Sequence, residues 1–297
     1  MSFFLFPGQG SQKPGMGRSL YEQAPAAREV MDEAAARLPE GFLDLLFEGP
    51  AEILGDTRNA QPALVTVGVA AAAHLQASGI APDGCAGHSV GEIPALVVSG
   101  VLTFADAIAI TIERARLMSE DVPPGGMAAV MGMEPGQIAA LLPDDVQIAN
   151  YNGPGQTIIS GAEAGLTRAA EVLKESGAKR VLPLKVSGPF HSQFMAPAAE
   201  VFAGFLMEFS FSAPVVPFVS SVSGGGVVDP EEIRALLAQQ LYSPVRWTEV
   251  MEQIGPETAF ETGPGNVLQG LAKRMEGAPA VYPAGTMEQI SKTEIRR

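Results

Sequence analysis

Apolar positions along the chain alternate between two rhythms. Short apolar runs bounded by Gly, Pro or Asp predict strands at 3–6, 79–86, 127–131, 146–150, 156–160, 178–185, 215–221 and 258–261. Between them, apolar residues three or four apart predict helices. Residues 18–48 read as helical, most clearly over 26–38, where Pro25 suits a first helical position. Residues 63–75 carry Ala, Val and Leu on most faces, which predicts a buried helix. Thr103 and Asp106 have the spacing of a capping box and open a helix over 104–119, with Ile108, Ile112 and Ala115 as its apolar stripe. Further helices are predicted at 162–176, 193–209, 230–241 and 248–254, with one more reaching Met275 and a loose polar tail over 288–297. Strands alternating with helices imply an α/β protein built on a parallel sheet covered on both faces.

The punctuation changes at Pro123-Pro124-Gly125-Gly126. From there to about residue 189 the order is β-α-β-β-α-β, that of a small ferredoxin-like (α+β) subdomain. The expected organisation is therefore a large domain, α/β-hydrolase-like, from 1–124 and 190–297, with 125–189 inserted into it.

Composition narrows the function classes. The 297 residues are 46% hydrophobic, enough for a sizeable core. Net charge is −14, from 19 basic and 33 acidic residues, and no basic run suggests nucleic acid or an anionic membrane surface. Cys85 is the one cysteine, which excludes an intrachain disulfide and a cysteine metal site. No apolar stretch reaches the roughly 20 residues of a membrane span, and the opening Met1–Phe6 lacks a basic flank. A soluble, cytoplasmic protein is expected.

The candidate chemistry centres on Gly87-His88-Ser89-Val90-Gly91, the G-x-S-x-G pattern of a nucleophile elbow. A predicted strand runs into it and a predicted helix runs out, so the helix N–H groups face the serine, where a developing oxyanion can use them. Serine needs a base, and only His74, His88 and His191 exist. His74 lies on the buried helix, and His88 should project away from its neighbour across the turn. His191, in a loop at the inferred domain boundary, is the best base by elimination. More than a hundred residues follow His191 without another histidine, unlike the late histidine of a hydrolase triad, so a backbone carbonyl could orient the base in place of a carboxylate. Arg114 and Arg116 both stand near the end of their helix. Either could face a cleft, and a solvated face is the ordinary place for both. The Gly-rich loop Pro7–Gln12 follows the first strand but lacks the Lys-Ser or Lys-Thr of a phosphate loop.

Several separated motifs then occur in order: Phe-Pro-Gly-Gln-Gly-Ser at 6–11, Gln61-Pro62-Ala63, Gly-His-Ser-Val-Gly-Glu at 87–92, the Arg114 helix, Gly-Pro-Phe-His-Ser at 188–192, Ser-Pro-Val-Arg-Trp at 243–247 and Gly-Pro-Gly-Asn-Val-Leu at 263–268. This ordered set resembles the malonyl-CoA:acyl carrier protein transacylase family, including polyketide synthase acyltransferase domains, over residues 3 to about 285. The resemblance implies that Ser89 carries the acyl group and His191 acts as general base and then acid. It implies an oxyanion hole from the backbone N–H groups of Gln9 and Val90. Arg114 would pair with the free malonyl carboxylate, the backbone around Arg246 would hold the base, and Gln61, His88 and Phe190 would line the substrate site. Phe190 before the histidine and Val90 after the serine fit malonyl over methylmalonyl, and Gly188, where the polyketide branch often has histidine, leans toward a fatty-acid-type or free-standing enzyme. The implied partners are a coenzyme A thioester and the phosphopantetheine thiol of an acyl carrier protein. A monomer is expected, with no metal or cofactor, no nucleic acid and no membrane. The alternatives are a trans-acting polyketide acyltransferase with another extender unit, an acyl-thioester serine hydrolase, and a non-catalytic carrier-protein binding module.

Overall fold

The computed structural model describes residues 1–120 and 122–294. It contains ten strands: β1 (Ser2–Phe6), β2 (Gly84–Gly87), β3 (Gly126–Met131), β4 (Val146–Gly153), β5 (Gln156–Gly161), β6 (Arg180–Pro183), β7 (Phe218–Val219), β8 (Gly226–Val227), β9 (Thr258–Glu261) and β10 (Ala280–Pro283). Six of them form a sheet in the order β10-β9-β1-β2-β7-β8, parallel except where β8 returns antiparallel along β7.

β1 is central, and its sequence shows why. Phe4 and Phe6 enter the core on one face, with the helix Thr57–Ala77. Leu5 enters the opposite face, against Trp247, Val250 and Met251. A strand buried on both faces has no polar side to present, so it reads as a continuous apolar run. Phe4 meets Phe260 of β9 edge to face, at 5.9 Å between ring centroids.

The second sheet, β4-β5-β3-β6, is antiparallel throughout. Ile138 from the helix Pro135–Ala139, and Ala169 and Leu173 from the helix Glu163–Glu175, pack on it with Val130, Ile148 and Ile159. This gives the β-α-β-β-α-β order and the strand arrangement of a ferredoxin-like unit. Main-chain hydrogen bonds join β4 of the small sheet to the segment before the helix Trp247–Ile254. Val245 donates its N–H to the Ala149 carbonyl (2.8 Å) and accepts from Tyr151 N–H (2.9 Å), just after Pro244.

The chain departs from the sequence-based expectation in several elements. The buried helix begins at Thr57, capped by Asp56, so Pro62 lies inside it. The strand expected over 215–221 shrinks to Phe218–Val219, because Pro214 and Pro217 have no N–H to give a ladder. Most of the expected loose tail, from Met287 to Glu294, is helical, packed beside β10, a strand that periodicity missed; residues 295–297 lie outside the described residues. No described helix is long and apolar enough to cross a membrane.

Gly91 marks where β1 and the elbow touch. Its φ is ordinary (−61°), yet a Cβ there would lie 2.2 Å from the Phe6 carbonyl oxygen, on a rigid central strand. Gly91→Ala is therefore expected to lower stability by about 1–3 kcal/mol or more through overpacking, measured by chemical denaturation. An unchanged midpoint would show that β1 and the elbow can move apart.

Candidate active site

β2 stops at Gly87, and the chain turns through a 3-10 segment, Ser89–Gly91, into the helix Glu92–Val98. A Cβ at Gly87 would lie 2.0 Å from the Gly91 carbonyl group, so the turn closes only with glycine there. Ser89 has φ +52°, in the left-handed region that non-glycine residues rarely adopt. His191, 102 positions away, has φ +56°; they are the two non-glycine residues with positive φ among those described. Their side chains meet, with Ser89 Oγ 2.8 Å from His191 Nε2.

The imidazole is 4% exposed and held from behind by two carbonyl oxygens. Nδ1 lies 2.8 Å from Gln240 O and 3.2 Å from Ser243 O. Two acceptors require the proton on Nδ1, which leaves Nε2 free to accept from the serine hydroxyl. Burial lowers the His191 pKa to about 3, with the positive charge of Arg114 and the neighbouring His88 adding to the effect. The ring is thus neutral near pH 7 and ready to take a proton. The backbone assigned to this duty around Arg246 is corrected here. Arg246 is exposed, its side chain reaches Glu249, and its N–H donates to the Ser221 carbonyl. The end of the helix Pro230–Gln239 and the turn after it bring Gln240 and Ser243 to the base instead, a folding-back that residue spacing does not encode.

The choice between the two arginines is settled by packing. Arg116 is on the outside, paired with Glu113 and Glu120. Arg114 is fully buried. Its Nη1 donates to Gln61 Oε1 (2.7 Å), and its Nη2 donates to Gln240 Oε1 (2.7 Å) and Ser89 Oγ (3.3 Å). Among the described residues no carboxylate forms an ion pair with it. Desolvation lowers its pKa to about 10, and the charge of Glu92, beyond Gln240, works against that. The result is a buried cation held by neutral amides beside a nucleophile.

The remaining expected residues surround this pair. Gln9 lies in the loop after β1, with its side-chain Nε2 donating to Thr57 Oγ1 (3.0 Å). Val90 follows the serine inside the 3-10 turn, whose first bond is donated one residue later by Gly91 to the His88 carbonyl. His88 lines the same cleft as Ser89, and its ring nitrogen reaches Asn152. Its Nε2 is 2.9 Å from Asn152 Oδ1, its ring lies against Trp247 (5.4 Å between centroids), and burial lowers its pKa. Phe190 is buried in the wall beside His191. A cleft of about 220 Å³ opens between the sheets, lined by Gln9, Ser89 and His191 on one side and by Asn150, Asn152 and Gln156 on the other.

Gln240 and Asn150 escaped sequence reading, and Ser243 and Glu92 were noticed only as parts of their motifs. Glu92 is 1% exposed and accepts from Ser221 N–H and from Gln240 Nε2, and burial pushes its pKa up to about 7. A single acid opening the otherwise apolar run Glu92–Val98 was the signal the sequence offered.

Comparisons with known proteins identify the family. The family described as "Acyl transferase domain" matches residues 3–281. The chain belongs to this acyl transferase family. It is 46% identical to the malonyl CoA-acyl carrier protein transacylase of Bacillus subtilis (strain 168), over 92% of this chain and 89% of that one. It is 42% identical to the enzyme of that name from Escherichia coli (strain K12), over 92% of each. Among solved structures, an acyl carrier protein S-malonyltransferase from Vibrio cholerae superposes with a TM-score of 0.94 at 40% identity, covering 98% of this chain and 99% of that one. A complex of a type II PKS acyl carrier protein with its malonyl-transacylase gives a TM-score of 0.95 at 36% identity, covering 100% and 99%.

In this acyl transferase the clamp on Nδ1 has a direct spectroscopic consequence. Nitrogen-15 NMR of labelled histidine is expected to show His191 neutral, with Nδ1 protonated and no titration above about pH 5. A transition near pH 6.5 would mean that the ring is not held as described. The same shift makes a contribution to stability that is present above the unfolded histidine's range and lost as pH falls toward the folded value.

Proposed function

We propose that the chain transfers a malonyl group from malonyl-CoA to the phosphopantetheine thiol of an acyl carrier protein, through an ester on Ser89. The observation that carries this is Arg114, a buried guanidinium 3.3 Å from Ser89 Oγ whose hydrogen-bond partners among the described residues are amide oxygens and the serine. An unpaired charge in such a place is costly, and a carboxylate delivered on the acyl chain satisfies it through paired, charge-assisted hydrogen bonds. An acetyl group leaves it unsatisfied. Relatives named for malonyl transfer, and one solved with its carrier protein, support the same substrate and partner.

In the first half-reaction Ser89 Oγ attacks the thioester carbonyl while its proton passes to His191 Nε2. The tetrahedral oxygen faces the backbone N–H groups of Val90 and Gln9. The C–S bond breaks, and the departing thiolate takes the proton from His191. In the second half-reaction the carrier thiol gives its proton to His191 and attacks the ester, and the serine oxygen leaves and recovers the proton. His191, neutral and clamped at Nδ1, serves as base and acid in turn without a carboxylate. Gln61 holds Arg114, Phe190 walls the pocket, and His88 braces the small sheet through Asn152. The large unit comprises 1–124 and 190–297, with 125–189 as the small one, and the cleft between their sheets admits the pantetheine arm.

Intact-mass measurement after mixing with malonyl-CoA or acetyl-CoA, without carrier protein, tests this. A malonyl adduct is expected on the wild type and none on Ser89→Ala. Arg114→Met is expected to cut malonyl loading by about two orders of magnitude, roughly 3 kcal/mol, with far less effect on acetyl. Free malonate accumulating faster than adduct would instead mark an acyl-thioester hydrolase.

A further inference from the structure

We propose that Glu92 is a positioning residue for substrate selection: its carboxylate fixes the orientation of the Gln240 amide, which in turn holds the Arg114 guanidinium in place to receive the malonyl carboxylate. The inference rests on the reading of Arg114 given above and extends it to a group that touches neither substrate nor nucleophile.

Hydrogen-bond polarity carries the step. A guanidinium only donates, an ionised carboxylate only accepts, and a side-chain amide does one at each end. Gln240 stands between the two. Its Oε1 accepts from Arg114 Nη2 at 2.7 Å, and its Nε2 donates to Glu92. With a carboxylate on one side and a cation on the other, a single amide orientation satisfies both. All three side chains are buried, at 0 or 1% exposure, so water cannot substitute for a missing partner. The second amide on Arg114 is secured more weakly, because among the described residues Gln61 Nε2 donates to the Met118 sulfur at 3.4 Å, a weak acceptor. Gln240 and Glu92 are therefore the firm side of the cradle.

Glu92 is itself anchored. Its other oxygen accepts the Ser221 N–H just after β7, and Glu92 opens the helix that follows the elbow. The carboxylate thus ties the nucleophile's helix to the segment carrying Gln240. The main-chain carbonyl of Gln240 holds His191 Nδ1. That carbonyl does not depend on the amide's orientation, so loss of the Glu92 charge should disturb the carboxylate receptor more than the base.

The test compares initial rates of malonyl and acetyl transfer at pH 8 for the wild type, Glu92→Gln, Gln240→Met, the double variant and Arg114→Met. Glu92→Gln is expected to lower malonyl kcat/KM by about tenfold, mainly through KM, and acetyl kcat/KM by less than about twofold. The double variant is expected to be no worse than Gln240→Met alone, since both act through one link. A parallel fall with both substrates, or additive losses, would overturn the proposal and leave Glu92 as a packing residue. If Glu92→Gln does not fold, Glu92→Asp, which keeps the charge but shortens its reach to Gln240, decides: a larger loss with malonyl than with acetyl supports the link, and equal losses overturn it. If Arg114→Met keeps the malonyl preference, the reading of Arg114 given above fails and this inference with it. If Arg114→Met loses the preference while Glu92→Gln keeps it, only this inference fails.

Discussion

A positive charge without a carboxylate partner lies at the centre of this molecule, and much of the fold serves to keep it there. Removing a guanidinium from water costs several kcal/mol, and an interior cation normally recovers that from an adjacent anion. Arg114 has amide oxygens instead. Gln61 comes from the long buried helix, Arg114 from the helix Phe104–Leu117 and Gln240 from the end of the helix Pro230–Gln239. Three helices distant in sequence must therefore hold their register to within hydrogen-bond tolerance. The negative charge that acts on it, on Glu92, is one amide away.

The catalytic pair adds a second constraint. Ser89 and His191 both occupy left-handed backbone, a strain of about 1–3 kcal/mol each that persists only where neighbours over-determine it. Those neighbours are present. The His88 N–H is tied to the Phe6 carbonyl (2.9 Å), the His191 N–H to the Leu241 carbonyl (2.9 Å), and Ser192 Oγ to the Pro189 carbonyl (2.5 Å). Each anchor belongs to a central strand or a buried loop, so the geometry of the pair is paid for by packing rather than by local preference.

The segment 243–247 joins these parts. Ser243 contributes a carbonyl to the base, Val245 stitches the small sheet to the large unit, and Trp247 lies against His88, which reaches on to Asn152 of β4. Five consecutive residues thus couple the base, the cleft's far wall and the core beneath the nucleophile.

What was legible in the sequence was local chemistry. The continuous apolar run of β1, the glycines bracketing Ser89, the strand–helix alternation and the β-α-β-β-α-β order all follow from backbone and burial preferences that act over a few residues. His191 was reachable by elimination because so few histidines exist. Tertiary structure alone decided which carbonyls hold that histidine, which of two arginines two positions apart is buried, and that Glu92 and Gln240 meet. Gln240 and Ser243 were read a few residues off, at Arg246, because a carbonyl carries no side-chain signature and every residue has one. Arg114 and Arg116 differ by about 200° around their helix, and only the packing of the neighbouring helices turns one inward. Contacts between residues 148 positions apart, such as Glu92 with Gln240, depend on how whole elements assemble, which no local pattern specifies.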